Sequence, residues 1–223
     1  MSSRTPSVVH AITVHRGSRR GLVFSSLVFS SLVLCVVGCG GPGRVTPPEI
    51  DPAAAAAQAL SRYDSNQDAQ LDEAELKKSP GLQQGKSRYD TNNDGKLSAA
   101  EIESRIASWS TQQIAITSLS CTFIYKGAPL VGADVLMEPE PYLGDQVKPA
   151  KGHTSQDGSA IMAIDDSDLP KAHKGIRGVH YGTYKVRVTH PSINLPAKYN
   201  TETVLGHEVA DDYGKPYATF QLN

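Results

Sequence analysis

Residues 61–76, SRYDSNQDAQLDEAEL, and residues 87–102, SRYDTNNDGKLSAAEI, agree at nine of sixteen positions with an offset of 26. Self-similarity at a fixed spacing marks the duplication of one supersecondary unit. Most of what is duplicated is oxygen chemistry. The second copy offers Asp90, Asn92 and Asp94 at alternate positions, then Gly95, the main-chain carbonyl of Lys96, Ser98, and Glu101 as twelfth residue. The first copy offers Asp64, Asn66, Asp68, the carbonyl of Gln70, Asp72 and Glu75. Calcium is a hard cation that takes six to eight oxygens at about 2.3–2.6 Å, and oxygens at positions 1, 3, 5, 7 and 9 of a curled loop converge on one point. A glutamate at position 12 presents two carboxylate oxygens at once, which favours calcium over the smaller magnesium.

The flanks of both copies read as helices. Asp51-Pro52 supplies a cap and a first helical residue, and strong helix formers run from Ala53 to Tyr63. Ser79-Pro80-Gly81 breaks the chain between the copies. Ser98 and Glu101 have the spacing of a capping box, so Glu101 has two competing employments, and Ile102, Ile106 and Trp109 follow at helical spacing as core. The copies are unequal. Gly95 takes a left-handed backbone freely, whereas Ala69 in the same position must absorb about 1–2 kcal/mol. At the ligand positions the first copy has four carboxylates (Asp64, Asp68, Asp72, Glu75) and the second three (Asp90, Asp94, Glu101). Both are expected to bind an ion, and the alternative for each is a solvated Asp/Asn turn.

These loops resemble the EF-hand calcium loop. The resemblance implies a helix on either side of each loop and two calcium ions, with Leu71 and Leu97 at position eight pairing the loops through a short strand. The 26-residue offset leaves shorter linking helices than in the sensor members of that family. Calcium is therefore expected to brace rather than to switch, so that chelation weakens residues 50–110 and leaves the rest nearly unaffected.

The first forty of the 223 residues lead to the expectation that this unit is exported. Arg16, Arg19 and Arg20 precede Gly21 to Val37, an uncharged run of Leu, Val, Phe and Ser, in the order of an export signal. Seventeen residues at about 1.5 Å each reach only ~26 Å, so a spanning helix is the weaker alternative, beside a plain cleavage site. The run ends at Val36-Val37-Gly38-Cys39, which resembles the lipobox of bacterial lipoproteins and implies acylation of Cys39. Residues 1–38 would then be removed as a signal peptide, and residues 39–50 form a Gly/Pro-rich tether. The remaining chain holds 18 basic and 23 acidic residues, a net charge of −5. That balance offers no basic surface for nucleic acid. Cys35 leaves with the signal, so Cys121 is the one thiol left, expected as a small buried hydrophobe in a strand.

Beyond residue 112 the period changes to alternation, with Phe123 and Tyr125, Val135 and Met137, Tyr184, Val186 and Val188, then Ala218, Phe220 and Leu222. Turn signals at Lys126–Pro129, Asp157-Gly158 and His180–Gly182 separate six or seven short strands. The stretches KGAPLVGADVLMEP (126–139), HTSQDGSAIM (153–162) and GTYKVRV (182–188) resemble the carboxypeptidase-regulatory, transthyretin-like domain. The expected architecture is thus α + β and multidomain: an α-helical EF-hand pair at 51–111, then an all-β sandwich of Ig or transthyretin type at 113–223.

Catalytic patterns are absent from the sequence. His207-Glu208 begins a zinc-protease helix, but residue 211 is Asp where the second imidazole is needed. His153, His173, His180 and His190 lack metal-ligand spacing and read as solvated loop positions. The expectation is a non-enzymatic, calcium-binding lipoprotein of the bacterial cell envelope, held at the membrane. One alternative is a module recognising a polysaccharide or surface protein, for which Tyr142, Tyr181 and Tyr213 are the candidate loop aromatics. A hydrolase with an unrecognised site ranks last.

Overall fold

The computed structural model describes residues 46–111, 113–211 and 217–223. Cys39 and the export signal lie outside the described residues, as does Tyr213. Among the described residues no helix is long and apolar enough to cross a membrane.

The chain has the mixed helical and β content expected of it, helices first and strands after. Helix α1 (Pro52–Tyr63) starts at Pro52, with the Asp51 carboxylate accepting the Ala54 N–H at 3.1 Å, and buries Ala55, Ala56, Ala59 and Tyr63 along one face. After the first acidic loop come β1 (Gln70–Leu71) and the single turn α2 (Glu73–Leu76); α3 (Pro80–Tyr89) opens on its proline. After the second loop come β2 (Leu97–Ser98) and α4 (Ala99–Thr111). Strands β1 and β2 pair antiparallel with Leu71 opposite Leu97, both fully buried beneath the loops. Ile102, Ile106 and Trp109 face inward from α4, which packs against α1.

The second half is a curled sheet of eight strands: β3 (Leu119–Tyr125), β4 (Ala128–Pro129), β5 (Asp134–Pro139), β6 (Ala150–His153), β7 (Ser159–Ile164), β8 (Gly182–Thr189), β9 (Gly206–Val209) and β10 (Tyr217–Leu222). The spatial order is β10-β3-β7-β6-β5-β8-β9, with β4 beside β3. Every pairing is antiparallel except β10 on β3. Curling is visible in β7, whose first four residues pair with β3 while Ala163 and Ile164 pair with β6. The edges approach one another, with the His207 and Phe220 rings 6.2 Å apart. Phe220 also stacks on its register partner Phe123 at 4.9 Å. Alternation holds as expected at Phe123 on β3, Val135 and Met137 on β5, Tyr184, Val186 and Val188 on β8, and Phe220 and Leu222 on β10, which are buried as Cys121 is, while Tyr125 and Ala218 are only half-buried. Two short strands, β4 and β6, take the count beyond six or seven. At Asp157-Gly158 the turn is held by the Asp157 carboxylate, which accepts the Ser155 and Ser159 hydroxyls at 2.7 Å each.

Some positions read as exposed are inside. Tyr142 sits in a short 3-10 turn (Pro141–Leu143) with its hydroxyl against Thr183, and Tyr181 is buried too, so neither is free to stack on a sugar ring. His173 and His180 are likewise buried rather than solvated. His180 Nδ1 accepts the Lys148 N–H at 3.2 Å, and burial pushes its imidazole down to about 4. His153 and His190 do stay at the surface, on Asp134 Oδ1 (2.9 Å) and the Val131 carbonyl (2.8 Å).

The helices and the sheet share one core within one compact unit. Contact is closest where α3 meets β8 and β9: a Cβ on Gly206 would lie 2.0 Å from the Pro80 carbonyl carbon, and one on Gly81 would lie 2.8 Å from Thr183. Two carboxylates from the sheet reach into the helical half. Glu140 is fully buried and accepts the Gly81 N–H at 3.1 Å and the Tyr63 hydroxyl at 2.9 Å, with Lys185 Nζ at 3.7 Å. Burial raises its carboxyl despite that ammonium. Glu208, also fully buried, holds Arg105 of α4 through two bonds of 2.7 and 3.1 Å, and its N–H donates to Gln84 of α3. A buried carboxylate without such partners would cost several kcal/mol, roughly 3–5 when one partner is removed.

Candidate metal centre

In the first loop the side chains curl the backbone around themselves. Asp64 Oδ1 accepts the Gln67 N–H at 2.6 Å and Oδ2 that of Ala69 at 3.0 Å. Asn66 Oδ1 accepts from Asp68, and Asp68 Oδ1 from Gln70. Glu75 closes the loop: Oε1 accepts from Ser65 (2.6 Å) and Asn66 (3.2 Å), while Oε2 accepts from Asp72 (3.0 Å). One carboxylate oxygen from each of Asp64, Asp68 and Glu75 lies within 4.8 Å of the others. Asp72 is absent from that group. Its Oδ1 caps α2, accepting from Ala74 and Glu75 in a capping box.

The second loop repeats the pattern. Asp90 accepts from Asp94 (3.1 Å) and Gly95 (2.9 Å), Asn92 from Asp94, and Asp94 from the Lys96 N–H (2.8 Å). Glu101 Oε1 accepts from Thr91 at 3.0 Å, and Oε2 accepts the Ser98 N–H and hydroxyl at 2.9 and 2.8 Å. Burial alone would raise the Glu101 carboxyl, but those donors outweigh it and hold it below the usual carboxylate range. Glu101 therefore does both jobs, closing the loop with one oxygen and capping α4 with the other. The backbones match: position four is left-handed in both (Gln67 φ 61°, Asn93 φ 59°), and so is position six, where Ala69 at φ 64° bears the strain that Gly95 at φ 84° avoids.

The loops differ in how their acids are engaged. Among the described residues only Asp64, Asp68 and Glu75 form a converging acidic trio; Asp90, Asp94 and Glu101 do not come as close. In the second loop the Asn92 amide occupies Asp94 Oδ2 at 2.9 Å. In the first loop the same oxygen of Asp68 is occupied from outside, by Lys96 Nζ at 2.8 Å. That hydrogen bond leads in holding the Asp68 carboxyl below its ordinary value. Spacing gives no role to the Lys96 side chain, because it assigns position seven only its carbonyl.

The donor set suits a hard, oxygen-seeking cation: carboxylates and an amide oxygen, with no thiolate or imidazole among them. A carboxylate oxygen that accepts an N–H keeps further lone-pair capacity. Cys121 is buried and burial pushes its thiol up to about 12, leaving it without thiolate character. His207 is pushed down to about 4 by burial. No protein-family model matches the chain, and no curated protein matches it.

Proposed function

We propose that this chain is a calcium-binding protein of the bacterial cell envelope, non-enzymatic and anchored through an acyl group on Cys39. In the finer reading of the fold, residues 51–111 are an EF-hand pair and residues 113–223 a sandwich of Ig or transthyretin type. The observation that carries it is the convergence of Asp64, Asp68 and Glu75 in a loop whose twin is joined to it through Leu71 and Leu97. Asp64, Asn66, Asp68, Gln70, Asp72 and Glu75 would hold one ion; Asp90, Asn92, Asp94, Lys96, Ser98 and Glu101 the other. Calcium bound there supplies a charge that neutralises loop carboxylates otherwise repelling one another. It acts as a brace, because both helix pairs are already fixed to the sheet by Glu140, Glu208 and the Gly206 contact.

Calorimetric titration of the full-length chain tests this directly. Two calcium equivalents are expected, each abolished by its own substitution, Glu75→Gln or Glu101→Gln, and magnesium should bind weakly. No heat at millimolar calcium defeats the proposal. Separately, Cys39→Ser should move the chain from the membrane to the soluble fraction, and retention at the membrane would refute the acyl anchor.

A further inference from the structure

Lys96 serves both loops. Its main chain belongs to the second, where its N–H donates to Asp94. Its side chain crosses the β1–β2 pair and sets Nζ 2.8 Å from Asp68 Oδ2 in the first. Asp68 is one of the three converging carboxylates, so the trio's charge is partly answered by a cation belonging to the chain itself. The direct ion pair is one-sided, although Lys86 Nζ also stands near the second loop, 3.8 Å from where a Cβ on Gly95 would lie. Gln70 holds the equivalent position in the first loop and is neutral, so it sends no charge to Asp94. The other lysine against the first loop, Lys78, bonds the Ser65 hydroxyl rather than a carboxylate of the trio.

We infer that Lys96 is a tethered competitor for the first loop: an ion entering that loop must release the ammonium from Asp68. The inference rests on the calcium reading above and adds an order of filling. The second loop loads first, and the first loop binds more weakly than its four carboxylates would allow. Both partners are a little over one-third exposed, so the pair is of the surface kind. Such a pair is worth up to about fivefold in an equilibrium constant. The same geometry gives the loops a mechanical link, since ordering position seven of the second loop fixes the root of the side chain that occupies the first.

The test is calcium calorimetry on the full-length chain carrying Glu101→Gln, which leaves the first loop as the binding site, with and without Lys96→Met. Lys96→Met is expected to tighten first-loop binding about threefold, within the range of an exposed ion pair. Lys126→Met, which removes an equal charge from a turn of the sheet, should leave it unchanged. The weaker constant of a two-site fit to the chain without Glu101→Gln should move alike, which covers a Glu101→Gln chain that fails to fold. First-loop affinity that is unchanged or weaker in Lys96→Met overturns the inference while leaving the calcium reading intact. Absence of calcium heat in every variant overturns both.

Discussion

Arg105, on the helix that leaves the second acidic loop, grips Glu208 of β9 through two nitrogens across 103 residues of sequence. The pair is enclosed, with Arg105 one-tenth exposed and Glu208 not at all. Glu208→Ala would remove both of these bonds to the buried end of the guanidinium and should cost about 3–5 kcal/mol. Urea denaturation checks this, and a loss under 1 kcal/mol would mean that the pair is not a clamp.

Because core residues from both halves form one cluster, the two should melt together. This revises the expectation that the sheet would ignore chelation. A ligand at a hundred times its dissociation constant stabilises the folded form by about 2.7 kcal/mol. If the loops hold calcium as proposed, removing it should lower a single transition, followed equally by Trp109 fluorescence and by the β signal in circular dichroism. Two separated transitions would show the halves to be uncoupled.

Ala69 carries a left-handed backbone in the first loop. Ala69→Gly should relieve roughly 1 kcal/mol of strain, raising stability with calcium bound or absent. The matching change in the second loop, Gly95→Ala, should cost a similar amount. Equilibrium denaturation of both variants compares the two directly.

Acid sensitivity follows from buried imidazoles. His207 and His180 are each pushed down to about 4 by burial, against an ordinary value near 6.5. The unfolded chain takes up their protons first, so the stability that they contribute is complete above the unfolded value and drains away as pH falls through 4. Between pH 6.5 and 5 each should cost about 2 kcal/mol. Glu140, raised by burial, works in the opposite sense above the ordinary carboxylate range and softens the slope. Comparing denaturation at pH 7 and 5, His207→Gln should remove about half of the acid loss; an unchanged slope would discount the imidazole.

What was legible in the sequence is what is local. The curl of each loop follows from residues within twelve positions, and the left-handed Ala69 is read directly from its alignment with Gly95. Alternation along β3, β5 and β8 follows from period two. What escaped is long-range or too short to show a period. Ala-Lys-Gly-His at β6 is four residues inside a polar stretch, and it joins the sheet because Ala150 and Lys151 find partners on β5 and β7. Tyr142 and His180 have loop-like neighbours, and only the fold reveals that their turns tuck under. Glu140 and Glu208 meet partners in the helical half 59 to 124 residues away, separations at which no pattern in the chain betrays a contact.

The seat of Gly206 on Pro80 has one more implication. Pro80 begins the helix between the acidic loops, so the pitch of the duplication is gauged by a strand that belongs to neither copy. A residue inserted between Glu75 and Pro80 would slide the second copy along the sheet instead of lengthening a free linker. Drift in that spacing is thereby closed off, whereas drift within the loops is not.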